Sequence, residues 1–281
     1  MQRSNLVGVI LQLKALGVDN VLRFSFLSAP PAQCMVRALE LLYAFRAVDA
    51  DGVLTHNVGK KMAEFPLSPM FVKLLLNSDE FGCSEEILSV AALLQVHSVF
   101  VVPKGSERMK AKIEQRKFAV AEGDHVSLLN VYEAFVNEGQ KSKGWCGSYF
   151  LNYKGLKRAD RIRQQLTKYL SRFDIKPKSC DGDIECVQKC ITSAFFANAA
   201  RLHSDGTYRG LHNTEVKLTI HPTSVLSTEA PPKWIVFNEI LETSKLFARD
   251  ITVIKPEWLT ELAPHFYHEN FADSSIKRAK F

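Results

Sequence analysis

The residues best suited to chemistry in this sequence are cations. Between Lys141 and Lys178 there are eleven Lys and Arg against two Asp, a net charge of 11 − 2 = +9 over 38 positions. Lys154, Arg158 and Arg161 recur at i, i+4 and i+7, which puts them on one face of a helix. Lys157, Arg161, Lys168 and Arg172 make an overlapping stripe, which at about 100° per residue lies about 120° from the apolar one. Trp145, Tyr149, Phe150 and Tyr153 are interleaved with the charges. Cations beside aromatic rings can neutralise phosphates and stack bases. The competing reading is a solvated helix face with core aromatics.

Groups for catalysis are scarce. No GxxxxGK[ST] loop is present, and the only Gly-Lys pair, Gly59-Lys60, is followed by Lys61 and lacks the upstream Gly. Without that loop, backbone N–H groups cannot cradle a triphosphate in the usual way. GxSxG, HExxH and GxGxxG are also missing, so no catalytic residue is assigned. His265 and His268 flank Phe266-Tyr267 and read as packing or surface residues. Cys180, Cys186 and Cys190 cluster, but their gaps are not CxxC and no His pair follows, so no metal site is expected.

The 281 residues are 46% hydrophobic and 23% charged, which excludes a disordered chain, a collagen-like rod and a disulfide-packed miniprotein. At about 100–150 residues per domain, two or three domains are expected. The net charge of +6 favours a polyanionic partner. No apolar run reaches the roughly 18–20 residues that span a bilayer, so no membrane partner is expected. Met1-Gln2-Arg3-Ser4-Asn5 lacks the features of a signal peptide, which points to cytosol or nucleus, and there six cysteines are thiols by default.

The elements that must position these groups begin with a helix of Leu6, Ile10, Leu13 and Leu16, started at Ser4 and stopped at Gly17. A second helix follows Pro30-Pro31. Asp51-Gly52 marks a turn, and Thr55 is placed to cap a third helix that Pro66 ends. Ser68-Pro69 starts another, and Ser84 caps the next, to about Val96. Lys104 to Lys117 follows, with six basic and two acidic residues. Asp124 opens a helix with Leu128, Tyr132, Phe135 and Val136 inward. Trp145 to Phe173 reads as one or two helices with an apolar stripe of Ile162, Leu166, Tyr169 and Phe173. Asp183 to about His203 is helical. From Tyr208 the period becomes two, with strands near 216–220, 234–240 and 251–254 that fit a small barrel or sandwich. Glu269 to Phe281 reads as a loose polar tail.

Several runs together resemble the C-terminal half of a DEAH-box (DEAH/RHA) RNA helicase. They include Leu11-Gln12-Leu13-Lys14-Ala15-Leu16-Gly17, Met62-Ala63-Glu64-Phe65-Pro66-Leu67-Ser68-Pro69, and Cys83-Ser84-Glu85-Glu86-Ile87-Leu88. Gly123-Asp124-His125, Asn152-Tyr153-Lys154-Gly155-Leu156, Ile220-His221-Pro222, Thr243-Ser244-Lys245 and Ala263-Pro264-His265-Phe266-Tyr267 extend it. Lys117-Phe118-Ala119-Val120 and Phe195-Phe196-Ala197-Asn198-Ala199-Ala200 resemble a spliceosome-associated subgroup. Lys154 stands where many relatives carry Arg, and Tyr149 where they often carry a more polar residue.

The resemblance implies a mainly α, multidomain α+β chain with a C-terminal β-barrel. Its parts are a winged-helix domain (1–66), a helical ratchet domain (67–182), an OB-fold domain with a leading helix (183–268) and a polar tail (269–281). It implies contacts to single-stranded RNA from Asn152 and Lys154, and from His221, Thr223, Thr243 and Lys245 in the barrel; Arg158 follows from charge alone. The RecA-like motors are absent from these residues, so ATP and Mg are expected only where motors accompany them, and this chain alone is expected to be inactive as an ATPase. The family further implies splicing, a nuclear site with the cytoplasm as second compartment, and G-patch or spliceosomal partners. Two other expectations stand beside an RNA-binding region without its motor: a non-catalytic scaffold docking splicing or G-patch proteins, and a full helicase whose N-terminal half lies outside this sequence.

Overall fold

The computed structural model describes residues 6–211, 214–270 and 275–278. They fall into two compact units that divide between Leu76 and Asn77. In the first, α1 (Leu6–Ala15), α2 (Ala32–Ala44), α3 (Gly59–Glu64) and α4 (Pro69–Asn77) follow in order. Ile10 and Leu11 of α1 are buried, as are Met35, Ala38 and Leu42 of α2, at helical spacing. Pro31 takes the cap position of α2, as the Pro-Pro pair predicts. Ser4 lies outside the described residues. Thr55 sits one turn earlier than a cap: its hydroxyl accepts from Gly59 N at 2.9 Å, where α3 begins.

The second unit opens with α5 (Ser84–Leu94), α6 (Glu107–Arg116), α7 (Asp124–Asn137), α8 (Lys143–Ser148) and α9 (Tyr153–Ser171). α5 is buried along most of its length and packs against both α7 and α9. Leu93, Val131, Phe135, Cys146, Leu156 and Ala159 share that core. Ser84 is the first helical residue and not the cap. Its hydroxyl instead ties α5 to the 176–178 segment, donating to Lys176 O and accepting from Lys178 N at 2.8 Å.

Two readings of apolar letters are corrected. On α9 the buried line is Leu156, Ala159, Leu166 and Leu170; Ile162, Tyr169 and Phe173 are only half-buried. Arg163 occupies the middle of that line, pairing with Glu85 and donating to Ser89 Oγ at 3.0 Å. A charge satisfied inside the fold is invisible to a pattern built on hydrophobic residues alone. The helix from Asp183, α10 (Ile184–Phe195), stops before His203. A 3-10 turn, Phe196–Asn198, follows it; Asn198 donates to Phe237 O and Asn238 O, both at 3.0 Å, and the next residues pair as a strand.

Strands β1 (Ala199–Leu202), β2 (Tyr208–Gly210), β3 (Lys217–Ile220), β4 (Trp234–Glu242) and β5 (Leu246–Val253) close a barrel in the order β1-β2-β3-β5-β4. β3 and β5 run parallel, with Thr219 opposite Phe247 and Ile220 opposite Ala248. The barrel core holds Ala200, Tyr208, Leu218, Ile235, Phe237 and Ile251, the inward half of a period-two pattern. α11 (Glu257–Leu262) follows. The tail is not loose throughout: β6 (Tyr267–Asn270) pairs antiparallel with β7 (Ser275–Arg278). Tyr267, fully buried and donating to Phe196 O at 2.6 Å, anchors the first of these strands to the domain.

Candidate nucleic-acid interface

The entry to α9 is fixed before any cation appears. Asn152 is the helix cap: its Oδ1 accepts from Gly155 N at 3.0 Å, its Nδ2 donates to Ser98 O at 2.9 Å, and its backbone N–H bonds Val99 O at 2.8 Å. Both ends of its side-chain amide are therefore committed to positioning the helix. Two residues on, the outward face begins. Lys154, Lys157, Arg158, Arg161, Lys168 and Arg172 are all exposed. From Lys154 to Lys168 the row spans ~21 Å at ~1.5 Å per residue.

Of the eleven cations between Lys141 and Lys178, three have carboxylate partners: Lys141 with Asp160, Arg163 with Glu85, and Lys178 with Asp79. The other eight (11 − 3) have none among the described residues, so their charge is free to meet a polyanion. Lys157 lies 5.7 Å over the Tyr153 ring and Arg172 4.9 Å over Tyr169, contacts that orient the cations without neutralising them. Trp145 and Tyr149 are half-buried against the helical core. Their ring centroids are 4.8 Å apart, and both pack on Phe118 in the helical core. That packing favours the core reading for those two rings.

In the barrel the candidate residues form two pairs. His221 follows β3, and its N–H bonds Ala248 O at 3.0 Å. Its Nδ1 accepts from Thr223 N at 3.2 Å and lies 2.6 Å from Thr223 Oγ1. A ring nitrogen that accepts a backbone N–H carries no proton, so Nε2–H is the donor this neutral imidazole presents. Burial lowers the His221 pKa, and Arg249 adds to that. Thr243 and Lys245 make the tip between β4 and β5, where Thr243 N bonds Lys245 O at 3.0 Å and both side chains are exposed. Lys245 lies three residues before Ala248, so ~10 Å of strand separates the pairs.

α7 joins the helical core to the barrel. Toward its C-terminal half Tyr132 donates to Asp160 Oδ1 at 2.7 Å, and Arg163 lies over its ring. At its first residue Asp124 reaches the barrel: Ser224 Oγ (3.0 Å) and Val225 N (2.8 Å) donate to Oδ1, and Ile251 N (2.8 Å) donates to Oδ2. Burial dominates the titration of Asp124, pushing it up to about 6 against those three donors, with Asp250 adding in the same direction. His125 contacts Thr252 Oγ1 at 2.7 Å, and burial pushes its pKa down to about 4. Gly123 has φ of 114°, and a Cβ there would lie 2.3 Å from Ile251 O. Only glycine permits that approach. Sequence reasoning read Asp124 as a helix start, which it is, and missed that its carboxylate also ties the helix to the barrel.

The cysteine group is larger than the sequence spacing indicates. Cys83, the cap residue before α5, meets Cys190 and Cys186, and burial pushes the thiols of Cys180 and Cys186 up to about 12. All six cysteines are free. Among the described residues no group of three or more His, Cys, Asp or Glu is arranged to hold a metal ion, and no helix is long and apolar enough to cross a membrane.

The arrangement defines a class first. A winged-helix part of a helicase-associated domain matches residues 38–67, a ratchet-like part of the same domain matches 68–128, and an oligonucleotide/oligosaccharide-binding (OB) fold matches 187–267. The chain is also 56% identical over its whole length to "Probable ATP-dependent RNA helicase DHX35" of Homo sapiens, covering 40% of that protein. It is 56% identical to the same-named protein of Pongo abelii over 96% of this chain and 37% of the relative. To the "DHX35 homolog" of Caenorhabditis elegans it is 46% identical over 95% and 36%. The chain carries the helicase-associated winged-helix and ratchet domains and the OB fold, and it is similar to the C-terminal region of a DEAH-box RNA helicase. It spans about two fifths of the length of these curated relatives.

Proposed function

We propose that this region binds single-stranded RNA through the outward face of α9 and the barrel edge formed by His221, Thr223, Thr243 and Lys245. The observation that carries the reading is the row of exposed cations on α9 without carboxylate partners. Such a row neutralises a phosphate backbone without reading sequence. The barrel edge adds directed donors, His221 Nε2–H and the Lys245 ammonium. An OB fold in a helicase is consistent with a nucleic-acid ligand. ATP-driven unwinding is then work of the longer relatives' type, with ATP and Mg held by motors and this region gripping the strand. The splicing link, the nuclear site and G-patch or spliceosomal partners rest on the sequence runs that resemble that subgroup.

A second reading, a protein-docking scaffold, draws on α6. That helix buries only Ala111, while Met109 (68% exposed) and Ile113 (59%) face solvent. Exposed apolar residues on a weakly anchored helix favour a protein partner. Fluorescence anisotropy with a labelled oligo-uridine strand and a matched RNA duplex separates the two. Salt-sensitive binding that prefers the single strand supports the RNA interface. Absence of binding at 0.05 M salt leaves the scaffold.

A further inference from the structure

We propose that Asp124 is a positioning residue of this interface: from the first turn of α7 it fixes the turn that presents His221 and Thr223. The inference rests on the RNA reading above. Asp124 itself is buried and bonded on both oxygens to protein, so it does not touch the strand. What it grips lies on both sides of His221. One oxygen holds Ser224 Oγ and Val225 N, immediately after Thr223. The other holds Ile251 N in β5, three residues beyond Ala248, whose carbonyl accepts the His221 N–H.

The turn is closed from within as well. Ser224 N bonds His221 O at 2.9 Å, Leu226 N donates to Ser224 Oγ at 3.2 Å, and Ser227 Oγ donates to Pro222 O at 3.2 Å. These bonds set the shape of the turn, but they do not set where it stands relative to the helical core. That placement comes from the Asp124 carboxylate, supported by Val253 N to Glu122 O at 3.0 Å and the Gly123–Thr252 bridge. A carboxylate suits the task because it accepts from three donors at once. Removing it leaves three buried donors unsatisfied.

The experiment uses the full chain, a labelled oligo-uridine strand and four variants: Asp124→Ala, Asp124→Asn, His221→Ala/Thr223→Ala, and the latter combined with Asp124→Ala. The geometry predicts that Asp124→Ala weakens binding by roughly 5-fold, the size of one lost hydrogen bond. The salt slope stays unchanged, and nothing further is lost when His221 and Thr223 are already Ala. Asp124→Asn keeps an acceptor for Ser224 and Val225 but sets an NH2 against Ile251 N, and so recovers only part of the loss. Wild-type affinity in Asp124→Ala, a loss that adds fully to the double variant's, or a changed salt slope would overturn the proposal. Amide exchange at Val225 and Ile251 separates this from failure of the RNA reading. Faster exchange at both in Asp124→Ala, with no RNA binding by the wild type, keeps the clamp and removes the RNA role. Unchanged exchange removes the clamp.

Discussion

The α9 face and the barrel edge carry candidate contacts of opposite character. On α9 the groups are full charges on long side chains, exposed and mostly without acidic partners. At the barrel edge they are one imidazole, two hydroxyls and one ammonium, and three of the four already bond within their own turns. The helix is therefore suited to supply affinity that falls with salt, and the His221–Thr223 turn of the barrel to supply direction that does not. Between them stands a joint of buried ionisable groups, Asp124 and His125, whose titration affects the fold and not the charge of either face.

The largest effect expected concerns that joint. His125 is held neutral, with its pKa lowered from 6.5 to about 4, so its contribution to stability is present above 6.5 and lost as pH falls through 4. Asp124 is raised from 3.8 to about 6, so its ionisation costs stability as pH rises between those values. At about 1.4 kcal/mol per pH unit, each amounts to about 3 kcal/mol, and the two nearly cancel between pH 4 and 6. Asp124→Asn should therefore lose stability steeply on acidification from pH 6.5 to 4, and His125→Gln should gain it. Urea unfolding at a series of pH values measures both; parallel curves for the two variants would show that the joint does not titrate.

Next in size is the helix face. Losing two single-strand phosphate contacts through Lys154→Ala/Arg158→Ala should weaken binding by ~60-fold at 0.05 M salt and ~10-fold at 0.2 M, by the counterion term alone. Arg163→Ala is the internal contrast on the same helix. It should cost about 1.5 kcal/mol of stability in urea melts, because it removes the Glu85 ion pair and the hydrogen bond to buried Ser89, while the salt slope of RNA binding stays put. His221→Ala/Thr223→Ala should have the smallest effect, roughly 5-fold in affinity with no change in salt slope. A salt-dependent loss there would erase the distinction between the two regions.

The two regions also differ in how far they could be read from sequence. Cations at i, i+4 and i+7 declare a helix face directly, and Lys154, Arg158 and Arg161 lie where the spacing puts them. The helix ends at Pro31 and Pro69 were legible for the same reason, since proline states its position locally. The strand alternation of 216–220 pointed to β structure, but barrel closure depends on β1 meeting β4 across more than thirty residues. The inward pairing of Arg163 was not legible locally, because its partner Glu85 is 78 positions away. Asp124 was read as a helix start for the same reason: its partners lie about 100 and 127 positions on. For Asn152, which the resemblance offered as an RNA contact, and for Trp145 and Tyr149, left open between stacking and core, the local bonds and the packing on Phe118 were not legible from spacing.

The most direct test of the account is the slope of log affinity against log salt for a labelled single-stranded RNA, measured on the wild-type chain and on Lys154→Ala/Arg158→Ala. The account predicts binding that weakens with salt in both, with the variant's slope shallower by ~1.4, at ~0.7 per lost contact. Equal slopes, or no binding at 0.05 M salt, would contradict it.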